Sequence, residues 1–200
     1  TTEIYTLSLH DALPISDVNP VLGLANTGSS YYREFEATVR FRPSRRIDLS
    51  VSYVWSRARG DLNTLSDTFV AFEQPVIRHN VTSDLKSDIP DRLVSSGIFQ
   101  LPWKLTFGPV VDVHTGFPYS DVDVLQNYVG KPNSQRFPTF FSLDIKVYRE
   151  FQLPFTLIGR KKHRTFRVEF YSLNVTNHLN PRDVYNNVAS PYFGQFAGFQ

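Results

Sequence analysis

The sequence contains no cysteine and no methionine. Without cysteine, disulfide frameworks and thiolate-held zinc or iron–sulfur sites are excluded. Without methionine there is no initiator, so Thr1 is not expected to be the natural start of a gene product. Long apolar runs are also missing: none approaches the ~18 residues that a membrane-crossing helix needs. The pattern of a signal peptide cannot be read at the N-terminus. An excess of charge is lacking too, because 21 Lys and Arg face 19 Asp and Glu, a net charge of +2. That balance gives no reason to expect a nucleic-acid partner. What the chain does have is 17 Phe, 10 Tyr and 13 Pro in 200 residues, the composition of a β-rich protein with many turns.

The first sixteen residues, Thr1 to Ser16, do not read like the rest. Read back into codons, Thr1 to Ile15 agrees without mismatch with a sequencing-adapter oligonucleotide. Residues 1–16 are therefore expected to be a non-native artefact and are set aside from fold reasoning. Their removal takes away Glu3 and Asp11 and no basic residue.

From Gly28 onward the hydrophobic period is two rather than 3.6. Tyr31, Phe35, Ala37, Val39 and Phe41 alternate with Tyr32, Glu34, Glu36, Thr38, Arg40 and Arg42. After a tight turn over Pro43–Arg46, the set Ile47, Leu49, Val51, Tyr53 and Trp55 alternates with Asp48, Ser50, Ser52 and Ser56. These strands run to about ten to twelve residues, against the usual five or six of soluble sheets. At about 3.3 Å per residue and a steep tilt, that length spans an apolar band roughly 25 Å tall.

A polar stretch, Arg57 to Asp91, follows without a sustained period. A third strand is predicted over Arg92–Leu101 and a fourth over Lys104–His114, joined by a turn at Pro102-Trp103. Pro109 inside the fourth predicts a bulge or a weakened ladder. A second long loop covers Thr115–Thr139, and a fifth strand Phe140–Phe151. A turn containing Pro154, Gly159 and the basic run Arg160–Arg164 leads to a sixth strand, Thr165 to about Asn174. The rest, Val175–Gln200, is rich in Asn, Pro and Gly and reads as loop.

Short and long connections thus alternate, the rhythm of an outer-membrane barrel with short periplasmic turns and long outer loops. A soluble sandwich also alternates, but its strands are shorter and its outer face is less heavily charged. Aromatic residues gather near the predicted strand ends: Tyr31, Tyr53, Trp55 and Phe141 at one rim, Phe41, Phe99, Trp103 and Phe151 at the other. Such girdles belong where amphipathic rings meet lipid headgroups. The expected fold class is all-β, with antiparallel up-and-down strands forming an incomplete piece, about six strands, of a transmembrane β-barrel.

The last third carries a resemblance. Phe141–Val147, then Phe166–Pro181 with Asn174, Asn177, His178, Asn180 and Pro181 in order, looks like the end of TonB-dependent outer-membrane receptors. The Oar-like branch, which carries a carboxypeptidase-regulatory-like extension, is the nearest. Thr115–Tyr119 resembles the strand-end motif before the preceding loop. The resemblance is loose over 29–200 and good over 140–200. It implies a barrel of 22 strands filled by a plug domain, importing scarce or bulky nutrients with energy from the inner membrane. It also implies that a final strand with a terminal aromatic should follow Gln200, and that residues 17–200 are a C-terminal barrel fragment holding roughly strands 16 to 21. Partners implied are outer-membrane lipid, the remainder of the barrel and its plug, and the energy-coupling TonB protein.

Chemistry-bearing motifs are scarce. There is no Gly-x-Ser-x-Gly, phosphate loop or His-Glu-x-x-His, so no enzyme activity and no cofactor are expected. His79, His114, His163 and His178 lack ligand spacing. Asp112, His114 and Ser120 suggest a triad only superficially, since Asp112 and His114 share a face by alternation. Asp121, Asp123 and the Asp- and Asn-rich stretch 61–91 could offer oxygen ligands to calcium, but a solvated loop is the expected reading. Arg160–Arg164 is expected to be a solvated turn. The outer loops 57–91, 115–139 and 175–200 are the expected ligand-contacting parts, with no individual binding residue named. The expected function is energy-coupled uptake; the alternatives are a passive barrel or adhesin-like surface protein, or a soluble carbohydrate-binding sandwich.

Overall fold

The structure, a computed structural model, describes residues 28–61, 81–157 and 160–199, together with two short strands nearer the N-terminus. Those two, β1 (Thr6–Ser8) and β2 (Gly23–Ala25), pair only with each other. The remainder of 1–16 lies outside the described residues.

The principal elements are β3 (Ser30–Ser44), β4 (Ile47–Gly60), β5 (Ser83–Asp84), β6 (Asp91–Leu101), β7 (Leu105–His114), β8 (Pro118–Tyr119) and β9 (Gln135–Arg136), followed by β10 (Phe140–Leu157), β11 (Arg160–Ser172), β12 (Asp183–Val184) and β13 (Phe196–Ala197). The long strands form one sheet in the order β11-β10-β7-β6-β4-β3, with β5 added beside β4. Every pairing is antiparallel and neighbours in the chain are neighbours in the sheet. The fold is therefore all-β, antiparallel and up-and-down. The sheet does not close: among the described residues β3 pairs only with β4, and β11 only with β10. No helix among the described residues is long and apolar enough to cross a membrane, which has no bearing on crossing by strands.

Several strand boundaries differ from those the sequence predicts. β3 continues through Ser44, with a register shift between Phe41 and Ser44 that absorbs Arg42 and Pro43, so the turn is only Arg45-Arg46. Pro43 has no N–H to give, and an irregular ladder tolerates it. β4 runs on to Gly60, and β7 begins at Leu105 rather than Lys104. Trp103 and Lys104 instead form the β6–β7 turn at φ 62° and 60°. The basic run Arg160–Arg164 is the start of β11, paired with Leu153–Leu157 of a β10 that passes through Pro154. It is strand, not a turn. β11 ends at Ser172, because Asn174 adopts φ 42° and leaves the ladder.

Pro109 weakens the ladder without bulging it. Pairing of β7 with β10 is unbroken from Phe140↔His114 to Arg149↔Leu105. On the other side, pairing with β6 lapses between Ser96↔Val110 and Phe99↔Phe107, and resumes in the same register.

The register sorts side chains into two faces. Ala37, Tyr53, Leu93, Val113 and Phe141 form one continuous row across five strands. Further along the same face come Ile47, Phe99, Phe107, Val147 and Phe170. The opposite face carries Thr38, Ser52, Val94, Asp112 and Ser142 in one row. Its charges pair across strands: Arg40 with Asp48 at 2.6 Å, Arg92 with Asp112 at 2.7 Å, Lys146 with Glu169 at 2.7 Å and Arg167 with Glu150 at 2.5 Å.

The two faces also differ in shape. Side chains from all six long strands, among them Arg40, Ser50, Ser96, Val110, Lys146 and Arg167, surround one shared space of about 450 Å³ on the polar face. The sheet thus curls toward its polar side and presents the apolar side as convex. That convex face is uncovered: Phe35 is 62% exposed, Val39 66% and Phe170 61%. Among the described residues, the buried hydrophobic side chains are Ala58 and Val122, both at the loop end.

Aromatic residues step across the sheet on a diagonal. Phe41 on β3 lies in the row of Leu49, and Phe99 on β6 one pleat further down, opposite Ile47. Phe151 on β10 lies lower still, opposite Phe166 of β11. At the other end Tyr31, Trp55 and Tyr53 descend in the same sense toward Phe141. Rows of equal height run diagonally to the register wherever strands tilt together.

Candidate ligand-binding site

The tightest packing lies where the long connections meet, over one end of the sheet. Its centre is Asp88, whose side chain is fully buried. The carboxylate accepts the backbone N–H of Ala58 at 2.6 Å and pairs with the Arg136 guanidinium. Arg136 also donates to the carbonyls of Asp88 at 3.1 Å and Gly116 at 3.2 Å, and reaches Asp84 at 3.3 Å. Arg59 Nε lies 3.2 Å from Asp84, close enough for an ion pair but turned away from hydrogen-bond geometry. One arginine therefore joins the loop before β6 to the loop after β7. A buried carboxylate is tolerable only with such partners.

A second set of polar contacts ties these loops to the last one. Asn133 donates its backbone N–H to Ser120 Oγ at 2.7 Å and its side-chain amide to the Asp84 carbonyl at 2.7 Å. Asn186 donates to the Ser120 carbonyl at 2.7 Å. Val122, nearly fully buried, bridges both Tyr128 and Asn187. Tyr119, Phe137 and Phe196 form an aromatic cluster, with centroids 5.1 to 6.5 Å apart. Burial, and then the neighbouring Asp121, push the Tyr119 phenol up from its ordinary value.

The residues that carry the receptor resemblance have physical tasks here. Asn174 and Asn177 take positive φ, which Asn tolerates better than most residues. Asn174 accepts the N–H of His178 at 3.1 Å and donates to its carbonyl at 2.9 Å. Its own backbone N–H reaches Asp144 at 2.9 Å. Asn180, buried, grips the backbone of Phe141 from both sides, at 3.1 and 2.9 Å. The motif thus docks the last loop onto the start of β10.

A cavity of about 370 Å³ opens beneath these loops, lined by His114, Phe117, Phe137, Phe140, Asn180 and Arg182, with Gly116 and two prolines. Gly116 has to lack a side chain: a Cβ there would meet the Phe137 carbonyl oxygen at 1.9 Å.

The candidates weighed from sequence are dispersed. Asp112 is engaged by Arg92, His114 by Thr115 at 2.8 Å and by Phe140, and Ser120 by Asn133, so no triad forms. His79 and the side chain of His163 lie outside the described residues, as does most of the polar stretch 61–91. Asp123 is occupied by backbone N–H groups of Leu125 at 2.9 Å and Asn127 at 2.8 Å. These bonds, that of Asn127 foremost, hold its carboxyl below the usual range. Among the described residues no group of three His, Cys, Asp or Glu side chains comes together as a metal site. The Asp88–Arg136 lock and the cavity were not legible from sequence; the only trace was that 57–91, 115–139 and 175–200 are polar and long.

No protein-family model, no curated protein and no solved structure matches the chain.

Proposed function

We propose that residues 17–200 are part of the wall of an outer-membrane β-barrel, of the TonB-dependent receptor kind, acting in energy-coupled uptake of a nutrient. The observation that carries this reading is the inversion of polarity: the apolar face is convex and uncovered, and the polar face is concave with its charges paired. A soluble sandwich or barrel puts its apolar face inside. A membrane barrel does the opposite, with lipid outside and water or a plug inside. The diagonal course of the aromatic residues agrees with strands tilted through a bilayer.

In this reading outer-membrane lipid covers Phe35, Val39 and Phe170, and the free edges of β3 and β11 pair with the rest of the barrel. The plug domain faces Arg40, Asp112 and Lys146, and the energy-coupling protein acts through that plug. The capped loops are the outer surface, where ligand is captured. The receptor assignment itself rests on the Asn174–Pro181 resemblance. A passive barrel would share the wall but not the coupling.

Two experiments test the proposal. The absence of cysteine makes single-cysteine labelling free of background. Spin labels at Phe35→Cys, Ala37→Cys and Val39→Cys should meet lipid-soluble oxygen, and those at Glu36→Cys, Thr38→Cys and Arg40→Cys a water-soluble nickel relaxer, alternating with period two. Equal accessibility at odd and even positions refutes the membrane wall. Uptake that continues in cells lacking the energy-coupling protein would favour the passive barrel.

A further inference from the structure

The 370 Å³ cavity sits on the concave side of the wall. His114 and Phe140 face each other across β7 and β10, in the row that closes the polar face at the loop end. The rings of Phe117 and Phe140 bracket His114, the first edge-on at 5.6 Å and the second stacked at 4.6 Å. Phe137 adds a third apolar wall. His114 fills the space between the first two rings, and the open volume beside it is walled by Phe117, Phe137 and Phe140, a lining that suits a flat ring.

Its polar groups narrow the ligand further. His114 is only 9% exposed. Its Nδ1 lies 2.8 Å from the Thr115 carbonyl, which can only accept, so Nδ1 carries the proton. That leaves Nε2 as the ring's acceptor, and no described residue donates to it. Arg182 lines the same cavity and is exposed, with no ion pair to a carboxylate among the described residues. Asn180 spends its oxygen and one amide N–H on Phe141 and His178, which leaves a single amide N–H as a donor. The cavity therefore presents aromatic walls, one acceptor, one amide donor and one cation.

We infer that this cavity binds a hydroxylated aromatic carboxylate. The ring lies between Phe117, Phe137 and Phe140, the carboxylate meets Arg182, and the hydroxyl donates to His114 Nε2. Aliphatic acids would leave the aromatic walls unfilled, and neutral arenes would leave Arg182 without a counter-charge. The inference deepens the uptake reading by naming a ligand class, and rests on that reading for its biological sense.

The test uses the full chain in detergent micelles and the fluorescent probe 6-hydroxy-2-naphthoate, titrated against empty micelles. Saturable binding at one site is expected, with 2-naphthoate and 2-naphthol each weaker by about fivefold, the loss of one modest polar contact. Arg182→Gln should weaken 6-hydroxy-2-naphthoate by about fivefold and leave 2-naphthol unchanged. His114→Phe keeps a stacking ring but removes Nε2, so the two naphthoates should bind equally. Absence of saturable binding, or preferences unchanged in both variants, overturns the inference. Binding in micelles needs neither energy coupling nor a bilayer. Its failure would leave the accessibility pattern along β3 standing, and failure of that pattern would leave the binding result intact.

Discussion

Replacing Asp88 with alanine should open the loop cap while leaving the wall intact. Two losses combine. The Ala58 N–H, on a residue only 5% exposed, loses its acceptor, at a cost of about 1–3 kcal/mol. Arg136 loses its principal partner, and breaking a fully buried pair costs about 3–5 kcal/mol. Arg136 is 26% exposed and keeps Asp84 and two carbonyls, so the lower end of both ranges applies. The sum is about 4 kcal/mol, or roughly a thousandfold faster exchange of amides that open with the cap. Hydrogen exchange followed by mass spectrometry reads this directly. The amides of Leu85 and Asp88, bonded to Ala58 and Leu85, should lose protection. Those of β6 and β7 should not. Asp84→Ala is the internal comparison: Asp84 is 27% exposed and its contacts are at 3.2 and 3.3 Å, so its loss should cost at most about 1 kcal/mol. Asp88→Asn keeps an oxygen for Ala58 and should fall between the two. Equal, small effects of Asp88→Ala and Asp84→Ala would refute the buried-lock argument. Protection lost equally along β6 and β7 would refute the separation of cap from wall.

Other outcomes follow from single contacts. Asn180→Ala should expose both backbone groups of Phe141 and cost about 2 kcal/mol, seen as faster exchange at Phe141 with no change at Arg149. Lys104→Gly should stabilise the chain by about 1 kcal/mol, because φ 60° strains any residue with a side chain; thermal unfolding in detergent measures it, and a lowered midpoint contradicts it. Asp123 has a folded-state carboxyl held below its ordinary 3.8. Its contribution is therefore present above that value and lost as pH falls through the lower folded one. Amide exchange at Leu125 and Asn127, corrected for intrinsic rates, should rise on acidification in the native chain and be pH-insensitive in Asp123→Asn.

The wall was legible in the sequence because alternation is a local signal. Phe35, Val39 and Phe41 against Glu36, Thr38 and Arg40 need no partner strand to be recognised, and the register carries the pattern across the sheet. Strand ends were less legible. The extension of β10 through Pro154 and the entry of Arg160–Arg164 into β11 go against local propensity, and pairing over thirteen positions overrides it. The turn after β6 was marked by Pro102-Trp103, but its inclusion of Lys104 was not, because a lysine does not favour positive φ. The cap was least legible. Asp88 and Arg136 are far apart in sequence, and so are Asn180 and Phe141. Nothing local distinguishes a buried Asp from the solvated ones around it.

Stability of the wall has to come from what covers it. Among the described residues the buried hydrophobic side chains, Ala58 and Val122, both belong to the cap. The long strands hold one another by ladder hydrogen bonds, which are worth little net in water. On the convex face, Phe35, Val39, Phe41, Trp55, Phe166, Val168 and Phe170 are each 43% to 66% exposed. Removing that remaining surface from water would contribute on the order of 5–10 kcal/mol, given about 1.5–3 kcal/mol for a fully buried large side chain. That is as large as the whole stability of a typical domain. The sheet should therefore hold its register only where a lipid or detergent phase takes up the convex face. Single polar substitutions there, such as Val39→Asn, should lower the thermal midpoint in micelles more than Thr38→Asn on the concave face. The reverse order would show that the convex face is water-exposed in the folded protein.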